Sequence, residues 1–598
     1  MAQALSQAGA LLELGRPQEA AAACAEILAT SPRNAPAMHL LGLARARMDQ
    51  PDEAEQLIRR SIELEPANHQ FQVNFGNVLR RMGRLSEAEA EYRKVLRLAP
   101  DARKARHNLA LTLDELGRKA EAEAESRRLL ADNDRDHEAW SLLGFILNNQ
   151  NRLMESEAAY RRSLALAPNH GLAQHNLGTV LIQMDRAEEA LAALIRARSL
   201  GTPEFEFQFG RGRALTLLYR LEEAEQAFRA AADLRPTHLE AHLNLARLRF
   251  MRADPEFIRG MDDAVAAHPG DLPLQALRAN VLFRAGCYDL AESRVRDVLK
   301  AEGSLPQFRS ILAQVLLEVG RLKEAELEAL EAAGAQPRNS ATVDVLVSIL
   351  LARGRAEDAQ PFISAQRALC PDVQTWIAHE ATAARLLGQS SYQDLFDYGR
   401  FVRSYRLEPP RGWSSMAALN ADLLRALQSR HRTVSHPLDQ SLRNGTQTTR
   451  NLMADPDPTI RAALGCFHEA LQSYVSELGA DAAHPFTRRN RSSATIDAAW
   501  SVQLRRGGFH VNHLHPQGWI SSSYYAAVPH EVADPAKKSG WLKFGEPRYA
   551  VPGAIAEHFV RPEEGLLVLF PSYMWHGTNA IFGTEPRTTI AFDAIPSG

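Results

Sequence analysis

The sequence predicts a multidomain α + β chain, an α-solenoid of tandem helix pairs followed by a small all-β barrel of jelly-roll type. Three observations predict it. Turn-forming and small residues recur every 34 positions through the first two thirds of the chain, and near Ala498 the apolar spacing changes from a helical period to a period of two. Among the alternating runs that follow, the segment GGFHVNHLHPQGWISSSYY (507 to 525) sets His510, His513 and His515 within six positions.

The 34-residue marker series runs Gly15, Asp49, Gly83, Gly117, Asn151, Asp185, Tyr219 and, after a one-residue slip, Gly286, Gly320, Gly354. Most of these residue types tolerate a helix C-terminus or tight turn. Five positions after each stands a small residue, Ala20, Ala54, Ala88, Ala122, Ser156, Ala190, Ala224, Ala291, Ala325 and Ala359, which lets two helices approach closely. Prolines such as Pro32, Pro66, Pro100, Pro168 and Pro236 mark the other boundary, since proline ends one helix and suits the start of the next. The first helix of several units carries a third small residue in register, at Gly42, Gly76, Ala110, Gly144 and Gly178.

These markers resemble the tetratricopeptide repeat, a helix-turn-helix unit that stacks into a superhelix, over residues 1 to about 389 in about eleven units. The resemblance implies a concave groove suited to a protein or peptide partner. Pro409 and Pro410 lie in what reads as a connector, and helical periodicity returns at 414 to 427 and 458 to 478, separated by a polar, turn-rich stretch. The expected domains are therefore 1–389 (solenoid), 390–494 (connector and helical support) and 495–598 (barrel core).

The barrel strands are read from AWSVQL, ISSSYYAAV, WLKF, EHFV, LLVLF and TTIAF, short runs rich in β-branched and aromatic residues. Strand alternation sends His513 and His515 to one face and His510 to the other, where it is expected to be held by hydrogen bonds. A third imidazole, His576, follows the apolar run LLVLFPSYMW, and Arg587 heads the last run. Asp593 and Asp534 are weaker candidates for a carboxylate ligand, and His530 and His558 for surface or supporting positions. Arg443 and Gln440 are candidates for the substrate entrance and, equally, for structural capping of the barrel.

The order His-x-His, Tyr-Tyr, SGWLKFG, LLVLFP then His, and Arg opening TTIAFD resembles the double-stranded β-helix of the 2-oxoglutarate and Fe(II)-dependent oxygenases, particularly the prolyl-hydroxylase-like branch. QSLRNGTQT, HPF and the histidine segment are similar to a bacterial group of such proteins with tetratricopeptide repeats in front. The resemblance implies Fe(II) held by His513, His515 and His576, with Arg587 and Tyr525 on the far carboxylate of 2-oxoglutarate. His515 departs from the pattern, because the usual triad has a carboxylate among its ligands. The implied activity is a dioxygenase of hydroxylase type whose repeats recruit a protein or peptide; the alternative is a non-catalytic repeat scaffold with a metal- or ligand-binding barrel.

At 598 residues the chain exceeds one ordinary core, and 69 Lys and Arg against 72 Asp and Glu give a formal charge of -3 without long blocks of either sign. That balance argues against nucleic acid or an anionic membrane as partner. Cys24, Cys287, Cys370 and Cys466 show neither metal-site nor disulfide spacing and are expected as buried thiols in a reducing compartment. The first residues lack a secretory pattern and no apolar run reaches about 18 residues, so a cytoplasmic, membrane-free protein is expected.

Overall fold

A computed structural model describes residues 1–597. The chain divides into two compact units, Met1–Pro203 and Glu204–Gly598. The first consists of antiparallel helix pairs, from Ala2–Glu13 and Pro17–Thr30 to Gly171–Gln183 and Ala187–Ser199. The turn markers do what their types permit: Gly15, Gly83 and Gly117 take φ of 73 to 77°, and Asp49, Asn151 and Asp185 take 60°. The small residues five positions later, from Ala20 to Ala190, have no exposed surface.

The third marker explains how the two helices of a repeat mesh. A Cβ on Gly76 would lie 2.5 Å from Tyr92, one on Gly144 3.0 Å from Tyr160, and one on Gly42 2.6 Å from Ile58. Where the glycine becomes Ala110, the residue at the equivalent facing position is Ser126, so small and large side chains trade volume across one contact.

The second unit continues the helix pairs from Glu204–Leu217 to Gln374–Leu386. One repeat is irregular: after Ala253, at φ 58°, the second helix shrinks to Arg259–Ala267. The chain beyond the repeats docks there. Val434 and Ser435 donate backbone hydrogen bonds to Met251 O (3.1 and 2.9 Å), Leu438 packs with Phe257 and Met261, and Asp439 pairs with Arg247 and Arg284. Further along, Trp575 Nε1 donates to Thr382 Oγ1 (3.1 Å), Arg385 pairs with Glu557 (3.0 Å), and Arg548 pairs with Glu318 (3.0 Å).

Among the described residues nine strands form the double-stranded β-helix: β1 Arg403–Arg406, β2 Leu442–Gln447, β3 Ala494–His510, β4 Ile520–Ala527, β5 Leu542–Phe544, β6 His558–Val560, β7 Leu566–Pro571, β8 His576–Thr578 and β9 Arg587–Pro596. The large sheet has the order β1-β7-β4-β9-β3-β2 and the small one β6-β5-β8, with every pair antiparallel. Helices Met416–Gln428 and Pro458–Leu478 cover the large sheet through Leu423, Phe467, Leu471 and Tyr474.

The six runs read from the sequence are strands, but β1 and β2 lie in segments read as connector and polar turn. RSYR and LRNGTQ carry little apolar alternation, and their strand state comes from pairing with β7 and β3 at the two sheet edges. The cysteine expectation also needs correction. All four thiols are free, with Cys24 and Cys466 buried and Cys287 half-buried, but Cys370 is exposed at the end of helix Ala356–Leu369. Among the described residues no helix is long and apolar enough to cross a membrane.

Gly76→Ala should destabilise the first unit by about 1–3 kcal/mol through overpacking against Tyr92. In a Tyr92→Ser background the same substitution should cost almost nothing. Thermal unfolding of the two single variants and the double variant measures the coupling, and additivity would mean that Gly76 and Tyr92 do not share the contact.

Candidate active site

Strands of both sheets line a cavity of about 640 Å³, with residues of the repeat helices closing one wall. His510 ends β3, and from Val511 the chain leaves the large sheet. It reaches the small sheet at His513, whose N–H donates to His576 O (2.8 Å) while the His576 N–H donates to His513 O (3.0 Å). Gly577 permits this approach, because a Cβ there would lie 2.3 Å from Asn512 Oδ1 and 3.0 Å from His510 O.

The backbone pair brings the rings of His513 and His576 to 4.3 Å between centroids, and His515 completes a triangle at 5.1 and 5.2 Å. One ligating nitrogen from each ring lies within 4.8 Å of the other two. The Nδ1 atoms all meet acceptors: Val511 O for His513 (2.8 Å), Met574 O for His576 (2.9 Å) and Asp593 Oδ2 for His515 (2.7 Å). An acceptor at Nδ1 fixes the proton there and leaves Nε2 as the lone-pair nitrogen. Burial, followed by the neighbouring His515, pushes the His513 pKa down to about 3. Burial and then His513 hold His576 well below the ordinary imidazole range, so the pair stays neutral near pH 7.

Asp593 is itself anchored by Ser521 Oγ (2.8 Å), and Trp500 stacks on the His515 ring at 5.8 Å. Along β9, Arg587, Thr589, Ala591 and Asp593 face the cavity, whereas Ile590, Phe592 and Ala594 enter the core. Arg587 is 2% exposed and donates through Nη1 to Gly540 O (2.5 Å), but its Nε has no partner and no carboxylate pairs with it among the described residues. Burial lowers its pKa. Tyr525 is fully buried with its ring 5.7 Å from Arg587 Cζ. Burial raises its phenol, an effect that Arg587 and Ser523 oppose, and its hydroxyl lacks a well-aligned hydrogen bond.

The structure thus gathers His513, His515, His576 and Arg587 on one cavity, with Tyr525 against Arg587. His510 is held by a hydrogen bond with Ser441 Oγ (3.0 Å), an oxygen also 3.3 Å from His513 Nε2, and stands outside the three-histidine cluster, as expected; its face is corrected, because it lines the same cavity. Strand parity does not carry across the passage from one sheet to the other. Arg443 and Gln440 line the cavity too. Asp534 lies in a loop beside Lys537, His530 is exposed, and His558 stacks on Tyr398 at 4.9 Å, away from the histidine cluster. Sequence reasoning missed Asp593 as the partner of His515, although its even spacing from Arg587 on one strand puts both on one face. It also missed Asn280 and Gln314, cavity residues one repeat length apart.

A family model described as "Putative 2OG-Fe(II) oxygenase" matches residues 498–593. Tetratricopeptide-repeat models match 11–72, 79–144, 137–170, 175–238 and 277–340. The chain therefore carries tetratricopeptide repeats ahead of an oxygenase-type domain. None of the curated proteins matches it. Similar solved structures include yeast Tom70, at 12% identity over 65% of this chain and 96% of that one, with a TM-score of 0.39. MamA from Desulfovibrio magneticus RS-1 is 20% identical over 28% and 94% (TM-score 0.25). A thermophilic repeat protein of Thermus thermophilus is 19% identical over 30% and 99% (TM-score 0.28).

A buried guanidinium without an anion is a cost that the ligand-free fold carries. Arg587→Met, of similar length and no charge, should stabilise the ligand-free protein by about 1–3 kcal/mol. Denaturant unfolding reads this directly, and a loss of stability would mean that the Gly540 hydrogen bond outweighs the desolvation.

Proposed function

We propose that this protein is an Fe(II)- and 2-oxoglutarate-dependent dioxygenase that hydroxylates a protein or peptide brought to it by the repeats. The observation that carries the reading is one cavity holding both halves of the required chemistry: three imidazoles whose Nδ1 atoms meet acceptors and whose Nε2 atoms are the ones left to ligate, that of His513 touching only the displaceable Ser441 hydroxyl (3.3 Å), and a buried Arg587 with no carboxylate partner among the described residues. Neutral imidazoles suit a divalent first-row metal. A guanidinium fork suits a carboxylate. The donor set therefore fits Fe(II) at His513, His515 and His576, and the cation fits the far carboxylate of 2-oxoglutarate.

With both bound, the site would couple oxidative decarboxylation of 2-oxoglutarate by O₂, giving succinate and CO₂, to insertion of one oxygen atom into a substrate C–H bond. The chain's own residues orient and tune. Val511 O and Met574 O fix the tautomers of two histidines, and Asp593 fixes and polarises the third. Arg587 and the Tyr525 hydroxyl are the groups left free for the dicarboxylate. Phe570, 4.7 Å from the His576 ring, and Trp500 beside His515 keep bulk water off the imidazoles.

His515 in place of a carboxylate favours a second reading, a repeat scaffold whose barrel holds a metal without turnover. Anaerobic Fe(II) titration followed by a succinate assay separates the two. The oxygenase binds one Fe(II) and forms succinate; the scaffold binds the metal and forms none. His513→Ala should abolish both signals. Arg587→Lys should weaken 2-oxoglutarate binding about tenfold or more, with Fe(II) affinity nearly unchanged, because lysine keeps the charge and loses the fork.

Asp593→Asn should lower Fe(II) affinity about 10–100-fold, since an amide neither fixes nor polarises His515 as a carboxylate does. Equal Fe(II) affinities of wild type and Asp593→Asn in the same titration would remove Asp593 from the metal's support.

A further inference from the structure

Asn280, Gln314, Ser348 and Thr382 stand 34 residues apart, at one register position of successive repeats. The last two lie where the repeats meet the barrel, with Thr382 bonded to Trp575 Nε1 (3.1 Å) and Ser348 lining one cleft with Tyr549, whose hydroxyl pairs with His379 Nδ1 (3.3 Å). The first two line the cavity, and among the described residues each amide bonds only a carbonyl of its own helix, Asn280 to Ala276 O (3.0 Å) and Gln314 to Ser310 O (3.3 Å). Each keeps a free carbonyl oxygen and a second N–H, the complement of a peptide group. Neighbouring packed helices lie about 8–10 Å apart, which is about three residues of extended chain.

The charges of the same wall are one-sided. Arg284, Arg443, Arg548 and Arg587 line the cavity against Asp439 and Asp593. Both aspartates are committed, Asp439 to Arg247 and Arg284, and Asp593 to His515. Arg548 has Glu318. Arg443 is half-buried on β2 and donates only to Gln440 O (2.9 Å) and Leu442 O (2.7 Å), with no carboxylate partner among the described residues. A five-carbon dicarboxylate at Arg587 leaves most of a cavity of about 640 Å³ unfilled.

We infer that the substrate is an extended polypeptide segment with an acidic side chain, its backbone held by Asn280 and Gln314 and its carboxylate taken by Arg443. The inference rests on the oxygenase reading and names the substrate class. It makes Asn280, Gln314 and Arg443 specificity residues, contributed by two repeats and by the edge strand of the barrel.

The test is selection of random twelve-residue displayed peptides on the full-length protein. Wild type should enrich Asp or Glu at a fixed position about tenfold, the factor one charge-assisted hydrogen bond carries. Arg443→Gln should lose that enrichment. Gln314→Ala lies on a repeat helix remote in sequence from β2, so it does not share any folding defect of the Arg443 variant; it should lower recovery of all peptides without changing the acidic preference. No acidic enrichment, equal enrichment in Arg443→Gln, or competition by free glutamate as strong as by peptide would each overturn the inference. Acidic enrichment through Arg443 without succinate formation supports the recognition site and defeats the oxygenase reading. Succinate formation with unbiased selection does the reverse.

Discussion

Two backbone hydrogen bonds between His513 and His576 hold the candidate site together. The chain leaves the large sheet at His510 and joins the small one three residues later, and this pair is where it joins. A corner of this kind would ordinarily scatter side chains. Here it aligns them, because His513 and His576 each turn Nδ1 back to the carbonyl two residues earlier. The same local geometry, used twice on opposed segments, points two Nε2 atoms into one space. Gly577 is the condition for it, since any Cβ would strike Asn512 Oδ1.

His515 is oriented differently, and the difference bears on reactivity. Its Nδ1 meets a carboxylate rather than a carbonyl, so Asp593 supplies negative character across the imidazole ring, where a direct carboxylate ligand would place it at the metal position itself. The opposite end of β9 presents the buried, unpaired Arg587. One strand thus carries an anion beneath the imidazole cluster and a cation at its far end, six residues apart on one face. The buried cation costs the unliganded fold stability, and on the proposed function a bound dicarboxylate would offset that cost.

Much of this was legible in the sequence. The repeats were visible because turn, small residue and proline obey steric rules that depend on residue type alone; even Tyr219 and Ala253 take the positive φ that the period assigns them. The core strands showed through alternation. β1 and β2 did not, because RSYR and LRNGTQ become strands only beside β7 and β3. The face of His510, though not its hydrogen-bonded role, was misjudged for a related reason: parity holds within a strand, and the chain changed sheets. The Asp593–His515 contact joins β9 to a loop, which no local pattern encodes, although the shared parity of Arg587 and Asp593 was available.

The docking of the repeats also changes what they are for. A recruiting arm needs only to hold a partner near the barrel, and its last helices need not touch the reacting site. In the second unit the irregular repeat around Ala253 instead receives the segment from Val434 to Asp439, and Thr382, Arg385 and Glu318 clasp the opposite side. Those contacts fix Asn280 and Gln314 as cavity wall. Removing the repeats at the end of the solenoid would therefore take away part of the cavity, not a tether. The compact unit that begins at Glu204, well before the last repeat, is the structural expression of that dependence. On the proposed function, a substrate bound along these final repeats would already be inside the site, so recognition and positioning would be one event, and the binding energy of the repeats could act on the geometry of the reacting bond.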